Sequence, residues 1–212
     1  MKKHKNVCRF ISVRLLVLAV AMATLATTPV WAAPGGNTKL TKKVIEHLNF
    51  MREEEKLAHD VYVYMYQRWN AEENAEIFNL ISLSEQQHMD TMLKMLIKYD
   101  LPDSASSEFG VFNNEDLQDK YYALTSIGEV DYLSALHKVG GFIEELDMID
   151  IQEAIDVNQT PIDLTTAYEH LMEGSKNHLR AFVDALDSQL DYDYDEAQLL
   201  DQELFDAIIY IY

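Results

Sequence analysis

Phe78-Asn79-Leu80-Ile81-Ser82-Leu83-Ser84-Glu85-Gln86-Gln87-His88-Met89-Asp90-Thr91-Met92-Leu93-Lys94-Met95 decides how this chain is read. Phe78, Ile81, Glu85, His88, Met92 and Met95 recur at spacings of three and four, the period of one face of an α-helix. Most of these positions are apolar, as a buried stripe requires. Glu85 and His88 are not, and they stand one turn apart inside the stripe. A Glu-x-x-His on an inward face can bring a carboxylate and an imidazole to one metal ion.

The anomaly recurs elsewhere. Met51, Glu55, Ala58, Tyr62 and Met65 share a face, with Glu55 the odd member. Glu144 and Asp147 lie one turn apart after the pair Gly140-Gly141, with Glu145 a close competitor because the helical phase is uncertain by one residue. The paired glycines allow a neighbouring helix or a ligand to come close, at some cost in helix stability. His178 falls on a face with Leu171, Gly174 or Ser175, and Phe182. A buried carboxylate without compensation is costly. A bound cation, or a pair, compensates it, and iron, manganese and zinc all accept mixed carboxylate and imidazole ligands. The candidate ligands are Glu55, Glu85, His88, Glu144, Asp147 and His178. The competing reading is a hydrogen-bonded polar network. Glu53-Glu54-Glu55 is also a charge run of the kind that usually faces water. His59, His137 and His170 read as ordinary histidines. Tyr62 reads as a packed tyrosine able to hydrogen-bond a ligating carboxylate.

Around these motifs the pattern is helical. The periodicity predicts helices over about 41–70, 72–99, 128–157 and 163–190, with a short helix near 114–125 capped by Asn113 or Asn114. Ser126 with Glu129 reads as a capping box opening the third long helix. Leu101-Pro102-Asp103 and Asn158-Gln159-Thr160-Pro161 are breaks. Strand alternation is absent until the ambiguous Ile208–Tyr212. The expected fold is all-α: a four-helix bundle with a long crossover, containing a short helix, between helices two and three.

The ends carry separate signals. Residues 1–32 combine Lys2, Lys3, Lys5, Arg9 and Arg14 with an apolar run from Leu15 to Ala26 and the close Pro29-Val30-Trp31-Ala32, the pattern of a secretory signal peptide cleaved after Ala32. The apolar run is short for a membrane span, which needs about 20 residues. Export to the periplasm or the extracellular space is expected, with 33–40 a flexible lead and 41–190 the bundle. The single cysteine, Cys8, lies within the signal, so no disulfide is expected in the mature chain. Losing the signal removes five Lys/Arg and no acid, which takes the net charge from −19 to about −24. Such acidity excludes a nucleic-acid role, because phosphate backbones require basic surface. Residues 191–212 read as an acidic tail, solvated or docking a partner.

These motifs together resemble the ferritin-like superfamily and, within it, the uncharacterised family DUF2202. The residues carrying the resemblance are Met51–Ala58, Ser84–Met89, Gly110-Val111-Phe112, Val139–Glu145 and Gly174–Phe182, and it spans roughly Val44 to Leu186. It implies a dinuclear site, most simply iron, with a Glu on helix one (Glu55), a Glu-x-x-His on helix two (Glu85, His88), a Glu on helix three (Glu144) and a second Glu-x-x-His on helix four. His178 matches the last histidine, but Ser175 stands where the helix-four Glu belongs. That departure leaves Asp147 or Glu145 to substitute, or one firm metal. The implied activity is oxygen- or peroxide-linked oxidation. The implied partners are metal ions, an external electron donor and a second copy of the chain. The alternative function is a non-catalytic helical binding module with an acidic surface.

Overall fold

The computed structural model describes residues 39–157 and 159–210. The signal-peptide assignment to residues 1–32 and most of the lead lie outside the described residues. Every regular element among the described residues is helical. The long helices are α1 (Lys42–Trp69), α2 (Glu76–Lys98) and α6 (Ile162–Leu190). A continuous rod supplies the fourth: α4 (Tyr132–Ser134), a π-helical stretch (Ala135–Gly141) and α5 (Phe142–Asp156). α3 (Glu115–Gly128) sits in the crossover, and α7 (Gln202–Ile209) closes the chain. α1 packs mainly on α2 and α5 mainly on α6, while α1–α5 and α2–α6 contacts close the four-helix bundle. No helix among the described residues is long and apolar enough to cross a membrane.

Local chemistry sets the ends. Thr41 caps α1 by accepting from Val44 N, and Asn114 caps α3 by accepting from Asp116 N and Leu117 N. α2 stops where Asp100 turns left-handed (φ 56°) and Leu101 N bonds back to Leu96 O. Two boundaries differ from the sequence reading. α2 starts at Glu76, after a turn that seats Ala75 and Phe78 in the core. The Ser126/Glu129 capping box does not form: Ser126 lies within α3, and Glu129 ends α3 while accepting from Tyr64 Oη. Asp131 opens the next helix instead, accepting from Ser134 N at 2.6 Å.

The π-helical stretch positions the site. A π turn holds more residues than an α turn, so it rotates everything downstream relative to an unbroken α-helix. At Gly140 a Cβ would lie 2.4 Å from the Phe182 ring, and at Gly141 one would lie 2.4 Å from Tyr194. Each glycine therefore admits an aromatic ring to the backbone. With this phase Glu144 faces the bundle interior, and Glu145, its neighbour, faces the C-terminal segment.

That segment is not a solvated tail. Tyr194, Phe205 and Ile208 are buried. Glu145 holds the segment by accepting from Tyr194 Oη (2.5 Å) and from the backbone N–H groups of Gln198 (3.0 Å), Leu199 (2.6 Å) and Leu200 (2.9 Å). Its acids face water on one side while its aromatic and aliphatic side chains cover the π-helical stretch. Replacing Glu145 with Ala leaves those buried donors unpaired. The expected loss is about 3 kcal/mol in urea unfolding, with faster amide exchange at residues 198–200.

Candidate metal centre

The apolar core is divided in two. One cluster runs from Leu57 and Ile81 through Phe78, Tyr62 and Phe182; the other contains Leu48, Met51, Met92, Leu96, Ile151 and Leu171. The layer between them is polar, and every long helix contributes to it.

Glu55 comes from α1, Glu85 and His88 from α2, Glu144 and Asp147 from α5, and His178 and Ser175 from α6. All seven are buried or nearly so. Glu55, Glu85 and His88 present ligand atoms within 4.8 Å of one another, as do Glu85, Glu144 and His178. Glu85 belongs to both groups. Its Oε2 lies 2.8 Å from His88 Nδ1, and its Oε1 lies 2.8 Å from His178 Nδ1. His88 Nδ1 also meets Glu55 Oε2 at 3.1 Å. His178 Nδ1 stands 3.3 Å from Glu144 Oε2 but is aimed so that it completes no hydrogen bond. Both imidazoles therefore turn the same nitrogen toward the carboxylates. The far side of His178 is held by Ser84, with Nε2 to Oγ at 2.9 Å. Tyr62 Oη donates to Glu144 Oε1 at 2.5 Å.

Asp147 belongs to neither group of three, and it explains Ser175. The Ser175 hydroxyl is fully buried and donates to Asp147 Oδ2, while Asp147 Oδ1 is left without a partner. A carboxylate from α5 thus reaches the place where the helix-four residue is short. Glu55 Oε1 is likewise buried and unpartnered. Buried oxygens and an imidazole nitrogen without partners, gathered in one polar layer, are donors a cation would complete.

The electrostatics follow from this crowding. Burial raises the Glu55 carboxyl well above the ordinary carboxylate range; Asp147 reinforces the shift and His88 opposes it. Burial also raises Glu144, and it lifts Asp147 to about 7 with help from Glu85. Burial acts on Glu85 in the same sense, but His178 and His88 outweigh it and hold Glu85 well below the usual range. Burial disfavours both imidazolium ions, yet Glu55 and Glu85 bring His88 to about 12, and Glu144 and Glu85 bring His178 to about 10. Without metal, protons do the neutralising.

The sequence reading missed two features. Glu53, Glu54 and Glu55 do not form a solvated run: all three are buried. Glu53 Oε2 accepts from Asn113 N (2.9 Å) and Asn114 N (3.1 Å) of the crossover, and Glu54 turns toward α5. Three consecutive acids point in three directions around a helix, so all are buried only because the crossover covers the outer side of α1. The other feature is Gly174, whose missing side chain makes room for His88. The histidines set aside do stay apart: His59 pairs with Asp60, His137 packs against Tyr194, and His170 is exposed.

Two outcomes follow. At Gly174 a Cβ would lie 2.5 Å from His88 Nε2. Gly174→Ala should displace the ring and weaken metal binding by about 10- to 100-fold, although alanine is the better helix former. Unchanged affinity in a metal titration would contradict this packing. A histidine whose folded pKa is raised stabilises the fold fully below its unfolded value, here 6.5, and that contribution is lost as pH rises through the folded value. Metal-free protein should therefore lose stability to urea between about pH 6.5 and 10, with His178 titrating near 10 by NMR. Titration of both rings near 6.5 would contradict the packing of ionised Glu85 between them.

The similarities agree with this architecture. The chain is 42% identical over 144 residues to the uncharacterized protein MJ0754 of Methanocaldococcus jannaschii, a match covering 68% of this chain and 75% of that protein. The crystal structure of the hypothetical protein MJ0754 superimposes with a TM-score of 0.73 at 40% identity, covering 80% of this chain and 93% of that one. The family described as "Uncharacterized protein domain (DUF2202)" matches residues 44–211. With that match spanning the bundle, the crossover and the packed C-terminal segment, the chain belongs to the DUF2202 family.

Proposed function

We propose that this protein is an exported, ferritin-like dinuclear metalloprotein that binds iron and couples it to oxidation by oxygen or peroxide. The observation that carries the reading is Glu85, one carboxylate shared by two carboxylate–imidazole clusters. Glu55 and His88 would hold one ion, Glu144 and His178 the other, and Glu85 would bridge them. Asp147, held by Ser175, supplies the remaining carboxylate. One imidazole per ion among several carboxylates suits iron or manganese better than zinc, whose closed sites are richer in nitrogen and sulfur. The ferritin-like resemblance favours iron. When bound, such a pair supplies the electrons that reduce oxygen or peroxide.

The chain's own residues do the positioning. Ser84 holds the His178 ring from its far side and sets its tilt. Tyr62 holds one Glu144 oxygen and leaves the other toward His178. The apolar clusters on either side exclude water, which strengthens every charge interaction between them. Reducing equivalents must come from outside, because the only cysteine is Cys8. Proton release accompanies metal entry, since His88 and His178 must lose the protons they hold in the metal-free state.

Metal analysis of protein loaded anaerobically with Fe(II) tests the reading. The expected content is about two ions per chain, with a single imidazole per site. Replacing Glu85 and His88 together with Ala should remove most of it, whereas replacing His170 should change nothing. No bound metal, or full occupancy in the double variant, would place any function elsewhere. Loaded protein that never consumes oxygen or peroxide would leave a structural metal in a non-catalytic module. Export is tested separately: the mature chain recovered outside the cytoplasm should begin at Ala33.

A further inference from the structure

The α1–α5 seam contains two acids that the metal centre does not use, Glu54 and Asp150, beside Asp147, which it does. The two helices pass antiparallel, with Tyr62 beside Glu144 at one level and His47 near Asp150 further along. Between those levels the seam carries Asp147, Glu54 and Asp150 in succession. Glu54 is 4% exposed, its Oε2 has no partner, and its carboxyl meets that of Asp150. Asp147 is 6% exposed, and its Oδ1 is likewise unpartnered. Asp150 is half-buried and opens onto a surface cavity of about 300 Å³ lined by Lys43, Glu46, His47, Phe50, Asp150 and Glu153.

We propose that this seam is the entry lane for divalent cations, with Glu54 and Asp150 forming a transit site between the cavity and the metal centre. The proposal rests on the metal-binding reading above. Two features support it beyond the acidity. The acids form a chain, with Asp150 lining the surface cavity and Glu54 lying between it and Asp147. Buried oxygens without a hydrogen-bond partner, Glu54 Oε2 and Asp147 Oδ1, occur at both inner steps. The carboxylates are oxygen donors without a clustered imidazole, which suits brief, weak coordination rather than retention. A cation passing inward exchanges water for Asp150 and Glu54, then Asp147, and reaches a centre that adds nitrogen ligands.

The test separates the lane from the centre. Metal-free protein is mixed with Co(II) in a stopped-flow instrument, with a metallochromic dye reporting free Co(II), and the final content is measured after desalting. Glu54→Gln and Asp150→Asn keep the side-chain shapes. Each should slow uptake by about tenfold, in the range that electrostatic focusing provides, and leave the final content at the wild-type value. The wild-type rate should fall with added salt more steeply than either variant's rate. Uptake by both variants at the wild-type rate overturns the lane while leaving the centre intact. A lower final content in Glu54→Gln makes Glu54 a ligand of the centre and also overturns the lane. A wild-type protein that takes up no Co(II) removes the centre itself.

Discussion

Charge buried in the middle of an apolar core is the constraint around which this bundle is organised. Glu55, Glu85, Glu144 and Asp147 meet His88 and His178 where four helices would otherwise bring leucine and phenylalanine together. Desolvating a carboxylate costs several kcal/mol unless an opposite charge sits against it. The layer meets that demand with two imidazolium rings around Glu85 and raised carboxyl pKa values elsewhere. Proton-neutralised, the layer holds two carboxylate–imidazole clusters able to chelate a metal ion, with apolar clusters on both sides.

Many other features support that layer. The crossover covers the outer side of α1 and ties down Glu53, which prevents the acid run from facing water. Lys56 and Asp60 pair beneath the same crossover; Lys56 Nζ donates to Glu108 O at 2.9 Å, and Asp60 accepts from Gly110 N at 2.9 Å. The π-helical stretch sets the phase of α5 so that Glu144 turns inward. The C-terminal segment then takes Glu145, which would otherwise be a buried acid with nothing to bind. One irregular turn thus gives two adjacent glutamates opposite tasks.

Ser175 and Asp147 share one place in the layer. A serine is too short to reach the middle of the bundle from α6, and the carboxylate there comes from across the interface as Asp147. Their hydrogen bond fixes one oxygen of Asp147 and leaves the other free.

The sequence by itself determined the helices, their order and the residues that break the apolar stripes. Period and capping are local properties, and Glu55, Glu85, His88 and His178 stood out because each interrupts a stripe that neighbouring residues define. Tertiary structure alone decided which acids are buried and whom they serve. The roles of Glu144 and Glu145 depend on a π turn that periodicity at 3.6 residues does not anticipate. The burial of Glu53 depends on a crossover that arrives some 60 residues later in the chain, and that of Glu54 on α5. The C-terminal acids hide a packed aromatic edge, because composition records charge but not the alternate face that Tyr194 and Phe205 turn inward. Local pattern reads the rule a residue breaks; only the assembled neighbours show what compensates it.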